Sequence, residues 1–264
     1  MTVATSSFAL DGRVVFIPGG YGDIGRAVAW QLARAGAAVA VAGRDAAKAE
    51  ALAAELRGAG HAALGLALDV RDTTAIRDVT DAVASHFGGL DLLVNSVGMQ
   101  REQRIDEVTE DAFDEILEVN LRGAMFLAQA AARHQRRGVD TGRAPGRQVH
   151  VLSVRAQLGM RDRGYSAYCA TKGGLVLLIR QHAVELCSHG ITVNGVAPTV
   201  VRGEMGRHWM ADPATREPLL RRIPLGRIAE PEDVAGPVHF LCSAAAAFVT
   251  GQVLYVDGGI TATQ

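Results

Sequence analysis

Short apolar segments alternate along the chain with longer segments in which apolar residues recur at intervals of three and four positions. The short segments are typical of buried strands, and the longer ones are typical of helices with one apolar face. We predict strands at residues 14–17, 38–42, 63–68, 92–94, 149–152, 192–196 and 253–256. We predict helices at residues 26–35, 46–59, 74–87, 109–133 and 166–188. The alternation predicts an α/β fold: a doubly wound, Rossmann-type parallel sheet of about seven strands with helices on both faces.

Neither a low-complexity linker nor an internal repeat divides the chain, so we expect residues 1–264 to form a single domain. Two stretches that contain glycine and proline interrupt the pattern. Residues 136–147 are expected to form a solvated loop. Residues 203–224 follow the sixth predicted strand, and ligands bind at the carboxyl ends of parallel strands. We therefore expect a substrate lid at about residues 200–224.

The overall charge gives no indication of a nucleic-acid or membrane partner, because the formal net charge is only −1. One short basic cluster lacks interleaved aromatic residues, so a solvated helix end and loop is the favoured interpretation. Its members are Arg133, Arg136, Arg137, Arg143 and Arg147. We expect a small-molecule substrate.

The three cysteines, Cys169, Cys187 and Cys242, are widely spaced and form no CxxC pair, which argues against disulfides and against a zinc site. The histidines show no ligand spacing, so no metal is expected. The N-terminus lacks the basic and apolar regions of a signal peptide, and no apolar run approaches the roughly 20 residues of a membrane span. These features predict a cytoplasmic protein.

A glycine-rich turn follows the first predicted strand and leads directly into a helix. Glycine allows the backbone to approach a phosphate closely, and the free N–H groups of a helix start attract an anion. The position of the turn favours a dinucleotide pyrophosphate over a purely structural role. The expected contacts are Gly19, Tyr21, Asp23, Ile24 and Gly25.

The second predicted strand ends at Gly43 and Arg44, where the adenosine ribose of a dinucleotide is expected. An acidic residue here would bind the ribose hydroxyls and repel a 2′-phosphate, whereas the guanidinium of Arg44 suits a phosphate. NADP(H) is therefore favoured, and NAD(H) stays possible. The alternative for Arg44 is an ordinary surface ion pair with Asp45 or Glu50.

Tyr168 and Lys172 are four residues apart in a predicted helix, so both side chains lie on one face. A neighbouring ammonium stabilises a phenolate, which would make Tyr168 a usable acid or base. Ser153 closes the fifth predicted strand, where its hydroxyl can bond a reacting oxygen. Asn120 lies within a predicted helix, either as a satisfied core amide or beside a water chain that relays protons to Lys172.

Taken together, these residues resemble the short-chain dehydrogenase/reductases over nearly the whole chain. The resemblance implies that Tyr168 is the acid/base and that Lys172 lowers its pKa and holds the ribose. It also implies that Ser153 orients the carbonyl and that Asn120 supports the proton relay. Further cofactor contacts implied by the resemblance are Asp69, Val70, Asn95, Gly98, Pro198, Thr199 and Val201.

Several positions depart from the family's pattern. Pro18, Ser96, Val97 and Thr199 replace residues that are usual there. Asp23 replaces a glycine of the turn, which places a carboxylate near the pyrophosphate unless Asp23 caps the helix. Gly203 stands where a threonine normally contacts the carboxamide, so we expect a weaker contact with the cofactor there.

Arginines crowd the segments that follow the fourth, fifth and sixth predicted strands: Arg101, Arg104, Arg155, Arg161, Arg163, Arg202 and Arg207. Because guanidinium groups bind carboxylate and phosphate, they predict an anionic substrate, with Arg101, Arg155, Arg161 and Arg163 as the expected contacts. The chain resembles gluconate 5-dehydrogenase-like members, which implies a sugar acid. A 3-oxoacyl-carrier-protein reductase and a non-catalytic nucleotide-binding regulator are the alternatives.

The resemblance also implies a homotetramer, or a dimer, assembled through the helices that contain Asn120 and Tyr168. An apolar helix face at residues 175–179 is compatible with such an interface.

Overall fold

Seven parallel strands form one sheet in the order β3-β2-β1-β4-β5-β6-β7. The computed structural model describes residues 6–161, 163–204, 207 and 212–263. The strands are β1 Val14–Pro18, β2 Ala38–Gly43, β3 Ala63–Ala67, β4 Leu92–Asn95, β5 Arg147–Val151, β6 Thr192–Pro198 and β7 Val253–Val256. The order reverses between β1 and β4, so the crevice at their carboxyl ends is where ligands of such sheets bind.

The helices that connect the strands cover both faces of the sheet. They are α1 Asp23–Arg34, α2 Ala46–Gly58, α3 Thr73–Phe87, α4 Glu110–Leu117, α5 Gly123–Asp140, α6 Ser166–Leu186, α7 Pro213–Arg221 and α8 Pro231–Cys242. The predicted α/β fold with a doubly wound parallel sheet is confirmed. No helix in the described part of the chain is both long and apolar enough to cross a membrane.

Strand β1 shows why the fold has a core on each side. Val15 and Ile17 pack into one apolar cluster with residues of α1, α2 and α8. Val14 and Phe16 pack into a second cluster, with residues of α3 and α5. Successive side chains of a strand point to opposite faces, so a strand that is apolar at every position must be covered on both sides.

The loop predicted at residues 136–147 is shorter in the structure, because regular secondary structure extends into it from both ends. Helix α5 continues to Asp140, and β5 begins at Arg147 rather than at residue 149. Arg147 is only 8% exposed, and its guanidinium donates to the carbonyls of Gly146 and Gly190. Arg143 also departs from the expected solvated cluster, because it pairs with the buried carboxylate of Asp91. Backbone carbonyls and a buried carboxylate satisfy these two cations, so neither contributes to a free basic surface.

Two helices were absent from the prediction. Helix α7 lies within the stretch that was expected to be irregular, and α8 follows it at Pro231–Cys242. The helix predicted at residues 109–133 is interrupted by a π-helical turn at Glu118–Arg122, which separates α4 from α5.

Candidate active site

A cavity of about 530 Å³ lies at the carboxyl ends of β4, β5 and β6, beside the turn that follows β1. Four loops and the segment around α7 supply its walls. The polar and charged lining residues include Asp23, Ser96, Gln100, Ser153, Arg155, Tyr165, Tyr168, Lys172, Thr199, Arg202, Glu204 and Arg222. The apolar walls include Ile24, Val97, Met99, Leu152, Met160, Val200, Val201 and Leu219.

Tyr168 and Lys172 project into this cavity from the first turns of α6, as their four-residue spacing predicts. Both side chains are buried, with 7% of Tyr168 and 2% of Lys172 exposed. The Lys172 ammonium nitrogen lies 5.6 Å from the centre of the Tyr168 ring. It donates a hydrogen bond of 3.0 Å to the carbonyl of Val151, which fixes it at the end of β5.

Burial shifts the pKa of both members of this pair. Burial raises the pKa of Tyr168 to about 12, while a hydrogen bond with Ser153 and the charge of Arg155 act in the opposite direction. Burial also lowers the pKa of Lys172 to about 8. Desolvation is therefore the largest influence on the pKa of both side chains, and the lowering of the Tyr168 pKa by Lys172 stays a prediction.

Ser153 lies two residues beyond the end of β5 rather than closing the strand. It caps the short helical turn Val154–Ala156, where its hydroxyl oxygen accepts from the Arg155 N–H at 3.2 Å. The same side chain also acts on Tyr168, because hydrogen bonding from Ser153 lowers the pKa of that phenol. The capping bond holds the serine hydroxyl beside the phenol.

Asn120 is 2% exposed and lies at the centre of the π-helical turn. Its side-chain oxygen accepts from the Met99 N–H at 2.8 Å, and its amide nitrogen donates to the Met99 carbonyl at 2.9 Å. The amide also donates to the Thr171 hydroxyl. The Asn120 side chain is therefore an amide whose hydrogen bonds are satisfied within the protein. The predicted water relay to Lys172 stays a prediction.

The glycine-rich turn after β1 is built so tightly that side chains cannot be added to it. Gly19 has a φ of +76°, and a Cβ there would lie 2.7 Å from the backbone carbon of Ser96. A Cβ on Gly25 would lie 2.2 Å from the Gly19 carbonyl oxygen. The helix that follows has Gly22 as its N-cap, without a side-chain cap, so its first N–H groups are available to an anion. This cradle fits a pyrophosphate.

Asp23 does not cap the helix that it begins. Its carboxylate accepts a hydrogen bond of 2.8 Å from the backbone N–H of Glu204, in the segment that follows β6. A Cβ at the neighbouring Gly203 would lie 2.2 Å from the same carboxylate oxygen. The two unusual residues therefore explain each other: Asp23 joins the cofactor turn to the segment after β6, and Gly203 leaves room for its carboxylate.

The end of β2 is shaped by Tyr21. A Cβ at Gly43 would lie 2.4 Å from the Tyr21 ring, and the Tyr21 hydroxyl accepts from the Asp45 N–H. Arg44 is exposed and makes no ion pair with any described residue. Neither of its proposed surface partners binds it, because Asp45 caps α2 and Glu50 pairs with Arg57. A free guanidinium at this position suits a phosphate.

The remaining predicted cofactor residues have defined structural contacts. Asp69 pairs with Arg71, and Val70 is buried against Gly123. The Asn95 side chain accepts from the Val97 N–H, which shapes the turn after β4. Gly98, Pro198, Thr199 and Val201 line the cavity, and their contact with the cofactor stays a prediction. Those that lie outside its lining are Gly19, Tyr21, Gly25, Arg44, Asp69, Val70 and Asn95.

Of the four predicted substrate arginines, only Arg155 lines the cavity. Arg101 pairs with Glu115, and Arg163 pairs with Glu102. Arg161 is exposed and is not part of the lining. Of the other arginines noted in the sequence, Arg202 lines the cavity but pairs with Glu230. Arg104 and Arg207 are exposed outside the lining.

The prediction missed Arg222, Leu219 and Tyr165, which also line the cavity. The available signal for the first two was their position inside the predicted lid. That stretch was predicted to be irregular, so α7, which positions both residues at the cavity, was not considered.

Comparisons with known proteins agree with this geometry. The family model described as enoyl-(acyl carrier protein) reductase matches residues 21–261. The chain is 38% identical to a D-threitol dehydrogenase of Mycolicibacterium smegmatis over 254 residues, which cover 96% of this chain and 95% of that protein. It is 35% identical to a gluconate 5-dehydrogenase of Gluconobacter oxydans, again over 254 residues, with 96% of both chains covered.

The fold is also similar to that of a gluconate 5-dehydrogenase from Burkholderia cenocepacia solved in complex with NADP and tartrate. The TM-score is 0.93 at 35% identity, and the match covers 99% of this chain and 100% of that one. The matched family model and the identity to dehydrogenases over nearly the full length are sufficient for an assignment. The chain belongs to the short-chain dehydrogenase/reductase family and is an oxidoreductase of the type that interconverts an alcohol and a ketone.

Proposed function

We propose that the protein is an NADP(H)-dependent oxidoreductase that interconverts a secondary alcohol and a ketone on an anionic polar substrate, such as a sugar acid. The observation that carries the proposal is the arrangement of Tyr168, Ser153 and Lys172 at one wall of the cavity. A buried phenol, a hydroxyl beside it and a nearby ammonium are the groups that a reversible proton transfer to a carbonyl oxygen requires.

The cofactor proposal rests on the turn after β1 and on the end of β2. Gly19, Gly25 and the free N–H groups of α1 form the pyrophosphate cradle. Arg44 supplies an unpaired charge for a 2′-phosphate, and the Tyr21 ring fills the space that an acidic side chain at position 43 would need. The gluconate 5-dehydrogenase of B. cenocepacia was solved with NADP, which supports the same choice.

In this proposal Tyr168 carries the proton to or from the substrate oxygen. A bound nicotinamide supplies or accepts the hydride. Ser153 donates a hydrogen bond that orients the same oxygen, and Lys172 holds the ribose beside the phenol. The hydrogen bonds of Asn120 keep the backbone of Met99 in place at the cavity wall. Burial of these side chains excludes water from the reacting atoms.

The proposal of an anionic substrate now rests on Arg155, because it is the only one of the four predicted arginines in the cavity lining. Both charged and uncharged substrates occur among similar proteins, since the relatives are named for gluconate and for D-threitol. The tartrate in the B. cenocepacia structure is a dicarboxylate. A guanidinium in the lining favours the charged class for this chain.

Two further proposals concern mobility and assembly. Residues 200–224 are proposed to act as a substrate lid, because Val200, Val201 and Leu219 all line the cavity; residues 205, 206 and 208–211 of this segment lie outside the described residues. A homotetramer is proposed on the exposed apolar side chains of α6, where Leu177 is 64% and Val184 70% exposed. Leu175 and Ile179, in the apolar face noted in the sequence, are buried in the core and cannot form the interface.

The test is a calorimetric titration with NADPH and NADH, followed by assays of keto acids, keto sugars and acetoacetyl thioesters that monitor nicotinamide absorbance. We expect tighter binding of NADPH and turnover of a keto sugar acid. Turnover confined to the thioesters would replace the proposal with an acyl-chain reductase. Binding of NADPH without turnover of any compound would favour a nucleotide-binding regulator.

A further inference from the structure

We propose that Arg155 and Arg222 together form a carboxylate-binding subsite, called here the arginine pair, which selects substrates with an anionic group. The inference rests on the proposed function and deepens it, because it names the residues that distinguish sugar acids from uncharged sugars. The second member of the pair, Arg222, was not among the arginines predicted from the sequence to contact the substrate.

Arg155 is held in place at one end of its guanidinium. It follows Ser153 by two residues, is half-buried, and lines the cavity. One terminal nitrogen, Nη1, donates to the carbonyls of Leu158 at 3.2 Å and Gly159 at 2.5 Å. Within the described part of the chain, Nε and Nη2 make no hydrogen bond. The fixed guanidinium therefore keeps donors for a ligand.

Arg222 approaches the same cavity from the other side, directly after α7. It is exposed, and its charge is close enough to Arg155 to act on that residue. Burial lowers the pKa of Arg155, and the charge of Arg222 lowers it further. Two like charges that face one cavity repel each other, and an anion placed between them removes that repulsion.

The charges of the arginine pair are not neutralised by any carboxylate in the described part of the chain. Neither arginine forms an ion pair with a carboxylate among the described residues. In contrast, Arg202 in the same lining pairs with Glu230. The carboxylate of Asp23 bonds the Glu204 N–H, at the cofactor side of the cavity. The arginine pair therefore keeps its positive charge available for an anion.

The position of the arginine pair places the bound anion near the reacting group. The charge of Arg155 lowers the pKa of Tyr168, so this guanidinium acts on the phenol directly. A carboxylate held by both arginines would connect the loop after β5 with α7. The same contact would orient the substrate.

The experiment compares Arg222→Gln with Arg221→Gln. Arg221 is the adjacent residue, lies outside the cavity lining, and pairs with Glu217 on the exposed surface. Each variant is assayed with a keto sugar acid and with an uncharged ketose of the same chain length. We expect Arg222→Gln to lower kcat/KM for the acid roughly 10–100-fold, mainly through KM, because charge-assisted hydrogen bonds are lost. Turnover of the uncharged ketose should change less than about twofold, and Arg221→Gln should change neither.

Arg222→Lys keeps the charge but not the planar fork, so it should recover part of the loss. An equal effect of Arg222→Gln on both substrates, or no effect on the acid, would overturn the arginine pair. If the wild-type enzyme turns over neither substrate, the proposed function fails, and calorimetric titration with tartrate then tests the subsite by itself. Wild-type protein should bind tartrate and Arg222→Gln should bind it at least roughly tenfold more weakly; equal affinity would overturn the inference.

Discussion

The carboxylate of Asp23 occupies the space into which any side chain at position 203 would project. A Cβ built on Gly203 would lie 2.2 Å from the Asp23 oxygen that accepts the Glu204 N–H at 2.8 Å. Each residue departs from the family's pattern, and each makes the other possible. Together they tie the segment that follows β6 to the start of α1.

This relationship predicts compensation between two substitutions. Gly203→Ala should weaken NADPH binding roughly tenfold, because the new methyl group forces the Asp23 carboxylate away from Glu204. Asp23→Gly loses the hydrogen bond and should raise KM for the cofactor more modestly. The double variant Asp23→Gly/Gly203→Ala has room for the methyl group, so it should bind NADPH better than Gly203→Ala alone.

A double-mutant cycle measured by calorimetric NADPH titration quantifies the coupling between the two sites. Gly236→Ala is the control, because a Cβ at Gly236 meets nothing within 4 Å. Strictly additive effects of the two substitutions would show that the Asp23 carboxylate does not constrain position 203.

Arg44 should determine the preference between the two dinucleotides. Arg44→Gln is expected to weaken NADPH binding roughly 10-fold or more while NADH binding changes less than about twofold, since only NADPH carries the 2′-phosphate. Arg57→Gln, which replaces an arginine of α2 that is bound to Glu50, serves as the control and should change neither affinity. Equal losses for both nucleotides would assign Arg44 a structural role instead.

His150 should make stability depend on pH. Its side chain is fully buried between β4 and α6, and burial lowers its pKa to about 3, with the charges of His182 and Lys172 acting in the same direction. The unfolded chain binds a proton near pH 6.5 that the folded protein rejects, so stability falls as the pH decreases from about 6.5 toward 3.

Between pH 6.5 and 5 this histidine alone should remove about 1.5 kcal/mol from the free energy of unfolding. Urea unfolding at several pH values measures the slope. His150→Asn should flatten that slope, although the lowered pKa of His182 will contribute a part that persists. An unchanged slope in the variant would show that His150 is not the residue that titrates.

Asp91 should be important for stability rather than for activity. It is 3% exposed, accepts from the Val14 N–H at 2.7 Å and pairs with Arg143 at 2.6 Å. Asp91→Ala leaves buried donors without a partner and is expected to cost about 3–5 kcal/mol. Asp81→Ala, which removes an exposed partner of Arg133, should cost under about 1 kcal/mol. Similar losses in both variants, measured by urea unfolding, would contradict this difference.

The parts of the fold that depend on local pattern were predictable from the sequence. Apolar strands such as β1 and β2 are recognisable because every residue of β1 and the four central residues of β2 are buried. The start of β5 was not, because Arg147 and Gln148 are polar, and a partner that binds the buried Gln148 amide, Gln135, lies on a different element. Helix α8 was missed because Gly236 and Pro237 lie in its middle, and both disfavour helix in isolation.

In the candidate site, too, features that follow from local spacing were predictable and features that depend on distant partners were not. The spacing of Tyr168 and Lys172 placed them on one face of α6, and the structure agrees. Which arginine faces the cavity depended on partners elsewhere in the chain: Glu115 binds Arg101 and Glu102 binds Arg163. The role of Gly203 was hidden for the same reason, since Asp23 is distant in sequence and adjacent in space. Pairings of this kind require the folded structure.

The most direct test of the proposed chemistry is the Tyr168→Phe variant, assayed for turnover and for NADPH binding in the same preparation. The substitution keeps the buried ring and removes only the hydroxyl that faces Ser153. We expect NADPH affinity within about twofold of wild type and a loss of turnover of at least about 100-fold, the contribution of a positioned acid or base. Turnover close to that of the wild type, with cofactor binding intact, would contradict the role of Tyr168 as the proton-transferring group.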